Sequence, residues 1–213
     1  MYSYSQDEVQ LYSKAPLIVI RDPKLKIFSK LVYFEIYTIY LAYRKDEEYV
    51  FAKDEYLAKI FDVSTRYVNF ALKDLEDNGY IERITSNFDK KALSRKRLIK
   101  FNLDKVKENF EINYCSFPKS IYTLNISNTS KLILIELFRL NSFKKNEEYK
   151  EIEESNGNLS EKLNVQRKTI IRCIKKLSEL EYISITRRPN NKRYITLEKE
   201  NIFGKETQIT VKH

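Results

Sequence analysis

The chain has 213 residues, a formal net charge of +9, 42% hydrophobic and 32% charged residues, two Cys (Cys115 and Cys173) and one His, the terminal His213. This size and composition suit a soluble protein of one large domain or two compact ones. They exclude His-based triads, His–Cys zinc cages and disulfide frameworks, so neither a catalytic nor a metal site is expected, and no cofactor. Apolar runs end well before 18 residues, the Met1-Tyr2-Ser3-Tyr4 start lacks a leader's basic and apolar regions, and 3 Gly leave little room for phosphate-cradling loops, so a cytoplasmic protein without membrane contact is expected.

Residues 1–15 read as an N-terminal tail and 16–103 as a first domain. An apolar-periodic run from Phe28 to Tyr43 predicts a helix with a wide face of Leu31, Phe34, Ile36, Tyr37 and Tyr40. The Asp46-Glu47-Glu48 cluster reads as a solvated turn. A short helix is predicted over Asp54–Phe61 with Asp54 as N-cap, then the turn Asp62-Val63-Ser64. A second amphipathic helix follows, capped by Ser64, with Val68, Leu72 and Leu75 inward and Gly79 as its C′ residue. The period then falls towards two. Tyr80–Thr85 and Arg97–Asn102 read as paired strands, joined by a loop bearing Lys90, Lys91, Arg95, Lys96 and Arg97.

Residues 104–117 read as a linker with a short charged helix over Asp104–Phe110. The same order then recurs over 118–200, before a tail at 201–213. The leading helix spans Ser130–Phe143 with Leu132, Ile135, Leu137 and Phe138 on its face. Glu147, Glu148, Glu151, Glu153 and Glu154 read as solvated turns and not as a Mg²⁺ site. A short helix over Asn158–Leu163, the turn Asn164-Val165-Gln166 and a helix carrying Ile170, Ile174 and Leu177 follow. Gln166 is a poorer cap than Ser64, and Glu181 in place of Gly79 demands a different helix exit. Strands over Tyr182–Arg187 and Lys192–Leu197 flank the turn Pro189-Asn190-Asn191, with Arg187, Arg188, Lys192 and Arg193 around it.

The recurrence is an internal duplication. At a shift of 102 residues Leu57 falls on Leu159, Val63 on Val165, Lys73 on Lys175, Leu75 on Leu177 and Tyr80-Ile81 on Tyr182-Ile183; Pro16 falls on Pro118, and Ser29-Lys30-Leu31 meets Ser130-Lys131-Leu132 at 101. Positive charge gathers at matching places. Arg83–Lys100 holds seven basic residues and one acidic, and Val165–Arg193 holds nine and two, leaving the remaining chain net negative. Such concentration suits a polyanion. Cys173, at the place of Ala71, reads as a small buried thiol, and the aromatic leading helices read as core rather than as base-stacking platforms.

Leu57-Ala58-Lys59-Ile60-Phe61-Asp62-Val63-Ser64-Thr65-Arg66-Tyr67-Val68, followed by Leu72-Lys73-Asp74-Leu75-Glu76-Asp77-Asn78-Gly79-Tyr80-Ile81, resembles the bacterial winged helix-turn-helix superfamily. The nearest flavour is that of plasmid and mobile-element proteins, including the N-terminal domains of plasmid replication initiators. The resemblance covers about 60 residues of each copy. It implies a mainly α fold with small β-hairpins, built as two tandem winged helix-turn-helix domains, and double-stranded DNA as the partner.

In such a domain the second helix enters the major groove. Its outward residues are Thr65, Arg66, Asn69, Phe70 and Lys73 in the first copy, where Arg66 suits guanine and Asn69 adenine. In the second they are Arg167, Lys168, Ile171, Arg172 and Lys175, which suit phosphate contact at least as well as base reading. The loop cations suit the DNA backbone or minor groove. The expected function is sequence-specific DNA binding by a transcriptional regulator of a mobile element. A replication initiator binding origin repeats, or a non-catalytic scaffold with one copy used for protein contacts, stays open. A monomer acting as its own pseudo-dimer is expected over a homodimer.

Overall fold

The computed structural model describes residues 11–43, 49–86, 96–107, 113–142, 151–188 and 192–203. The first half runs β1 (Tyr12–Pro16), α1 (Leu17–Arg21), α2 (Ile27–Tyr43), β2 (Tyr49–Val50), α3 (Asp54–Phe61), α4 (Thr65–Asp77), β3 (Ile81–Ser86) and β4 (Lys96–Phe101). A 3₁₀ turn at Leu103–Lys105 leads on to β5 (Tyr114–Pro118), a 3₁₀ turn at Lys119–Tyr122, α5 (Asn128–Ser142), β6 (Ile152–Glu153), α6 (Asn156–Leu163), α7 (Arg167–Glu179), β7 (Ile183–Arg187), β8 (Arg193–Leu197) and α8 (Lys199–Phe203). The fold is mainly α with small antiparallel sheets.

Three segments differ from the sequence reading: β1 begins in the stretch read as an N-terminal tail, β5 closes the stretch read as a linker, and α8 enters the stretch read as a C-terminal tail, where Ile202 is buried. β1 and β5 pair with each other, antiparallel, and the register is informative. Lys14 faces Ser116, its own counterpart at the 102-residue shift, while Tyr12 faces Pro118 and Pro16 faces Tyr114. Equivalent strands meeting at equivalent residues define a local twofold axis. Reciprocal contacts extend it: α1 packs on α6, and Tyr122, from the turn that replaces α1 in the second half, stacks edge-on against Phe61 of α3 at 4.8 Å. Where the charged helix over Asp104–Phe110 is expected, the described residues hold a 3₁₀ turn at Leu103–Lys105, and residues 108–112 lie outside the described residues.

The two leading helices are buried around their whole circumference, from Phe28 to Thr38 in α2 and from Ser130 to Arg139 in α5. The sequence marks one apolar face on each; the other is covered because α2 and α5 also pack on one another. The charged residues caught in this core are paired, whereas the buried Tyr33 hydroxyl and the Asn141 side-chain oxygen find no partner among the described residues. Lys30 donates to the Ile20 carbonyl at 2.8 Å, and its counterpart Lys131 to the Tyr122 carbonyl at 2.6 Å. Burial pulls the Lys30 pKa down to about 8 and lowers that of Lys131. Glu35 accepts from Ser13 at 3.0 Å, from Tyr56 at 2.8 Å and from Lys119 of the other half at 2.8 Å. Glu136 is forked by Arg139 at 2.7 and 2.6 Å. Both cysteines are free and buried, and burial pushes the Cys115 thiol up to about 12.

The pieces that carry the exposed basic helices are built alike. α3 ends at Asp62 (φ 52°) and α6 at Asn164 (φ 52°), left-handed positions that Asp and Asn tolerate best after Gly. The next N–H returns in each: Val63 to the Ala58 carbonyl at 3.0 Å, Val165 to the Ser160 carbonyl at 3.1 Å. α4 buries Val68, Ala71, Leu72 and Leu75, and α7 buries Ile170, Cys173, Ile174 and Leu177, the same positions at the 102-residue shift. Ser64 caps α4, its hydroxyl accepting from the Tyr67 N–H at 3.2 Å, whereas Gln166 gives α7 no side-chain cap.

Three local expectations are corrected. Asp54 is the first helical residue of α3, preceded by Lys53, and does not cap it. α6 starts at Asn156, two residues earlier than expected, because Ser155 caps it through the Asn158 N–H at 3.0 Å. Glu181 needs no different exit; it takes the left-handed conformation (φ 56°) that Gly79 takes (φ 70°). Each predicted hairpin also gains a third strand, in the orders β2-β4-β3 and β6-β8-β7.

Candidate nucleic-acid interface

α4 and α7 each sit on their half with one apolar row inward, which leaves the opposite row on the surface. On α4 that row carries Thr65, Arg66, Phe70 and Lys73, all exposed. Arg66 lies over the Phe70 ring, its guanidinium 5.6 Å from the centroid, one helical turn apart. Lys73 faces Asp77 at 3.6 Å, a solvated pair of little energetic weight. Asn69 is placed differently from expectation. It is half-buried, and its amide nitrogen donates to Asp54 at 2.7 Å and to the Thr65 carbonyl at 3.0 Å. In this arrangement it ties α4 to α3 instead of presenting its amide to a base.

On α7 the surface row is Arg167, Lys168, Ile171, Arg172 and Lys175. Arg172 donates to Thr169 at 3.3 Å, and Lys175 and Lys176 share Glu179 at 3.8 and 3.9 Å near the far end of the helix. Neither α4 nor α7 has an acidic residue in its first turn, whereas α3 has Asp54 and Glu55 there. Arg66, Arg167 and Lys168 therefore sit at helix N-termini, where the backbone N–H groups already carry positive charge. Each such cation disfavours the isolated helix by about 0.3–1 kcal/mol.

The loop cations divide. Lys90, Lys91 and Arg95 lie outside the described residues, and of Lys96 and Arg97 the backbone is described, at the start of β4 opposite Ser86 and Thr85. In the second half Arg187 is exposed. Arg188 pairs with Glu151 at 2.6 Å and stacks over Tyr194 at 4.4 Å, and Lys192 pairs with Glu153 at 2.7 Å. Arg193 is half-buried; it donates to the Asn156 side chain and to the Glu154 carbonyl, each at 2.6 Å, and bolts β8 to the start of α6. Its assignment to the DNA backbone is thus replaced by a structural one.

The acidic stretch 151–154 is likewise no solvated turn. Glu151 precedes β6 and Glu153 ends it, both against the hairpin cations, and Glu154 is buried, paired with Lys162. A linear charge count over Val165–Arg193 misses these carboxylates because β6 brings them in from outside it. In the first half Arg83 is similarly spent on Glu76, at 2.9 and 2.6 Å, which holds the Glu76 carboxyl below its ordinary pKa. The shallow groove where the starts of α6 and α7 meet the hairpin is lined by Arg167, Arg187, Lys192 and Arg193 together with the carboxylates Glu153 and Glu154.

Among the described residues no group of three or more His, Cys, Asp or Glu is placed to hold a metal ion, and no helix is long and apolar enough to cross a membrane. No protein-family model matches the chain, and no curated protein matches it in sequence.

Proposed function

We propose that this protein binds double-stranded DNA sequence-selectively through two winged helix-turn-helix units, with α4 and α7 as the reading helices and the β3–β4 and β7–β8 hairpins as wings. The observation that carries the reading is the duplicated α3–turn–α4 and α6–turn–α7 unit. It recurs with one buried register and one left-handed turn residue, and each copy's second helix turns a cationic outer row to solvent. Cations set at helix N-termini, unfavourable in isolation, become favourable when a phosphate backbone lies across them. Arg66 and Arg167 are placed in the first turn, where a helix entering the major groove meets base edges, and Lys73, Arg172 and Lys175 are placed to follow the backbone. We read the chain as a binding protein and not as an enzyme.

The biological role that fits is a transcriptional regulator of a mobile element. A replication initiator would use the same surface on origin repeats, and the nature of the bound site separates the two. The binding itself is tested by site selection from a random duplex library, followed by titration of the selected duplex at several salt concentrations. With about six phosphates neutralised, log K against log salt is expected to fall with a slope of roughly −5. Arg66→Ala is expected to relax one position of the selected site. A slope near zero, a preference for single strands, or no selected site contradicts the proposal.

A further inference from the structure

Each reading helix carries one feature that phosphate binding does not explain. In the middle turn of α4 Phe70 is 54% exposed, and in the middle turn of α7 Ile171 is 45% exposed. Both stand in otherwise polar outer rows, between Arg66 and Lys73 in one helix and between Lys168 and Lys175 in the other. Neither contributes to the buried core. A single exposed apolar side chain is ordinary on a protein surface; one at the centre of the cationic face of both duplicated helices is a pattern. Nor is it inherited as one aligned residue: Phe70 aligns with Arg172, and Ile171 with Asn69. The two helices reach the same layout through neighbouring positions.

A cationic rim selects a polyanionic occupant, and an apolar centre selects an apolar group within it. In the major groove of B-DNA the one apolar group on a base edge is the 5-methyl of thymine. We infer that Phe70 and Ile171 are specificity-determining residues that each pack against a thymine methyl, one in each half-site. This inference rests on the DNA-binding reading above. The Arg66–Phe70 contact refines it: the ring carries the guanidinium at 5.6 Å, so the two side chains enter the groove as a unit. Four residues of helix rise span about 6 Å and successive base pairs lie about 3.4 Å apart, so the guanine met by Arg66 and the thymine met by Phe70 fall within about two base pairs.

The test removes the methyl alone. On the duplex selected by the intact chain, each thymine is replaced singly by deoxyuridine, which keeps every hydrogen-bonding group, and affinity is measured at fixed salt. One position in each half-site is expected to lose about three- to fivefold, the worth of one buried methyl group. Phe70→Ala is expected to abolish the loss in one half-site only, and Ile171→Ala in the other. Both residues are exposed, and thermal unfolding of the variants checks that the fold is kept. Tight, salt-dependent binding with uracil tolerated at every position overturns this inference while leaving DNA binding intact. Unchanged uracil sensitivity in both variants overturns the assignment to these residues, and failure to select any duplex overturns it together with the reading on which it rests.

Discussion

Glu181 holds a left-handed backbone (φ 56°) where the first half uses Gly79 (φ 70°). An L-residue other than Asn or Asp in that region is disfavoured by about 1–2 kcal/mol, because its Cβ crowds the following carbonyl. The conformation persists because its surroundings fix it. The Tyr182 N–H returns to the Leu177 carbonyl at 3.0 Å as Tyr80 returns to Leu75 at 2.9 Å, and Asn201 donates to the Glu181 carbonyl at 2.7 Å as Asn102 does to that of Gly79 at 3.1 Å. Glu181→Gly is therefore expected to raise stability by about 1 kcal/mol, less the entropy that Gly gains in the unfolded chain. Urea unfolding of the two proteins measures it. Equal or lower stability of the variant would mean that the backbone there is not strained.

The hairpins of the two halves differ in what lies beside them. Tyr49 and Phe51 flank the first, and Glu151 and Glu153 occupy the equivalent positions beside the second, paired with Arg188 and Lys192. A DNA phosphate approaching the second wing must displace a carboxylate. The double substitution Glu151→Gln with Glu153→Gln is expected to tighten DNA binding several-fold at low salt and to steepen the salt slope by about one to two. Titration at four salt concentrations checks this, and an unchanged slope would show that Arg188 and Lys192 do not meet phosphate.

This pairing also marks the limit of what the sequence discloses. Val68, Leu72 and Leu75, with Ile170, Ile174 and Leu177, give the helices through their own spacing, and the structure buries all six. The Asp62 and Asn164 turns and the Gly79 exit were likewise legible, because their cause is local. β1, β5, β2 and β6 were not, since their partners lie far along the chain, whereas β7 and β8, no longer than β1 and β5, are joined by a turn that the sequence marks. The candidate site divided in the same way. Exposed Arg66 and Arg167 follow from helix phase, whereas the diversion of Asn69 to Asp54, of Arg188 to Glu151 and of Arg193 to Asn156 depends on residues 15 and 37 positions away.

At the scale of the whole molecule, the duplication has produced two halves that share a core. β1 and β5 pair about Lys14 and Ser116, α2 packs on α5, and Lys119 of one half reaches Glu35 in the other. A twofold relation between halves suits a duplex read from two inverted half-sites. On the DNA-binding function proposed above, the differing outer rows of α4 and α7 would make those half-sites unlike, and one chain would supply what a homodimer otherwise assembles. Covalent linkage also raises the effective concentration of the second unit once the first is bound. Footprinting of the selected duplex, combined with light scattering of the complex, tests this account most directly. One chain protecting about 18–22 base pairs, two turns of DNA with two unlike inverted half-sites, is the predicted result; two chains on a perfect palindrome would contradict it.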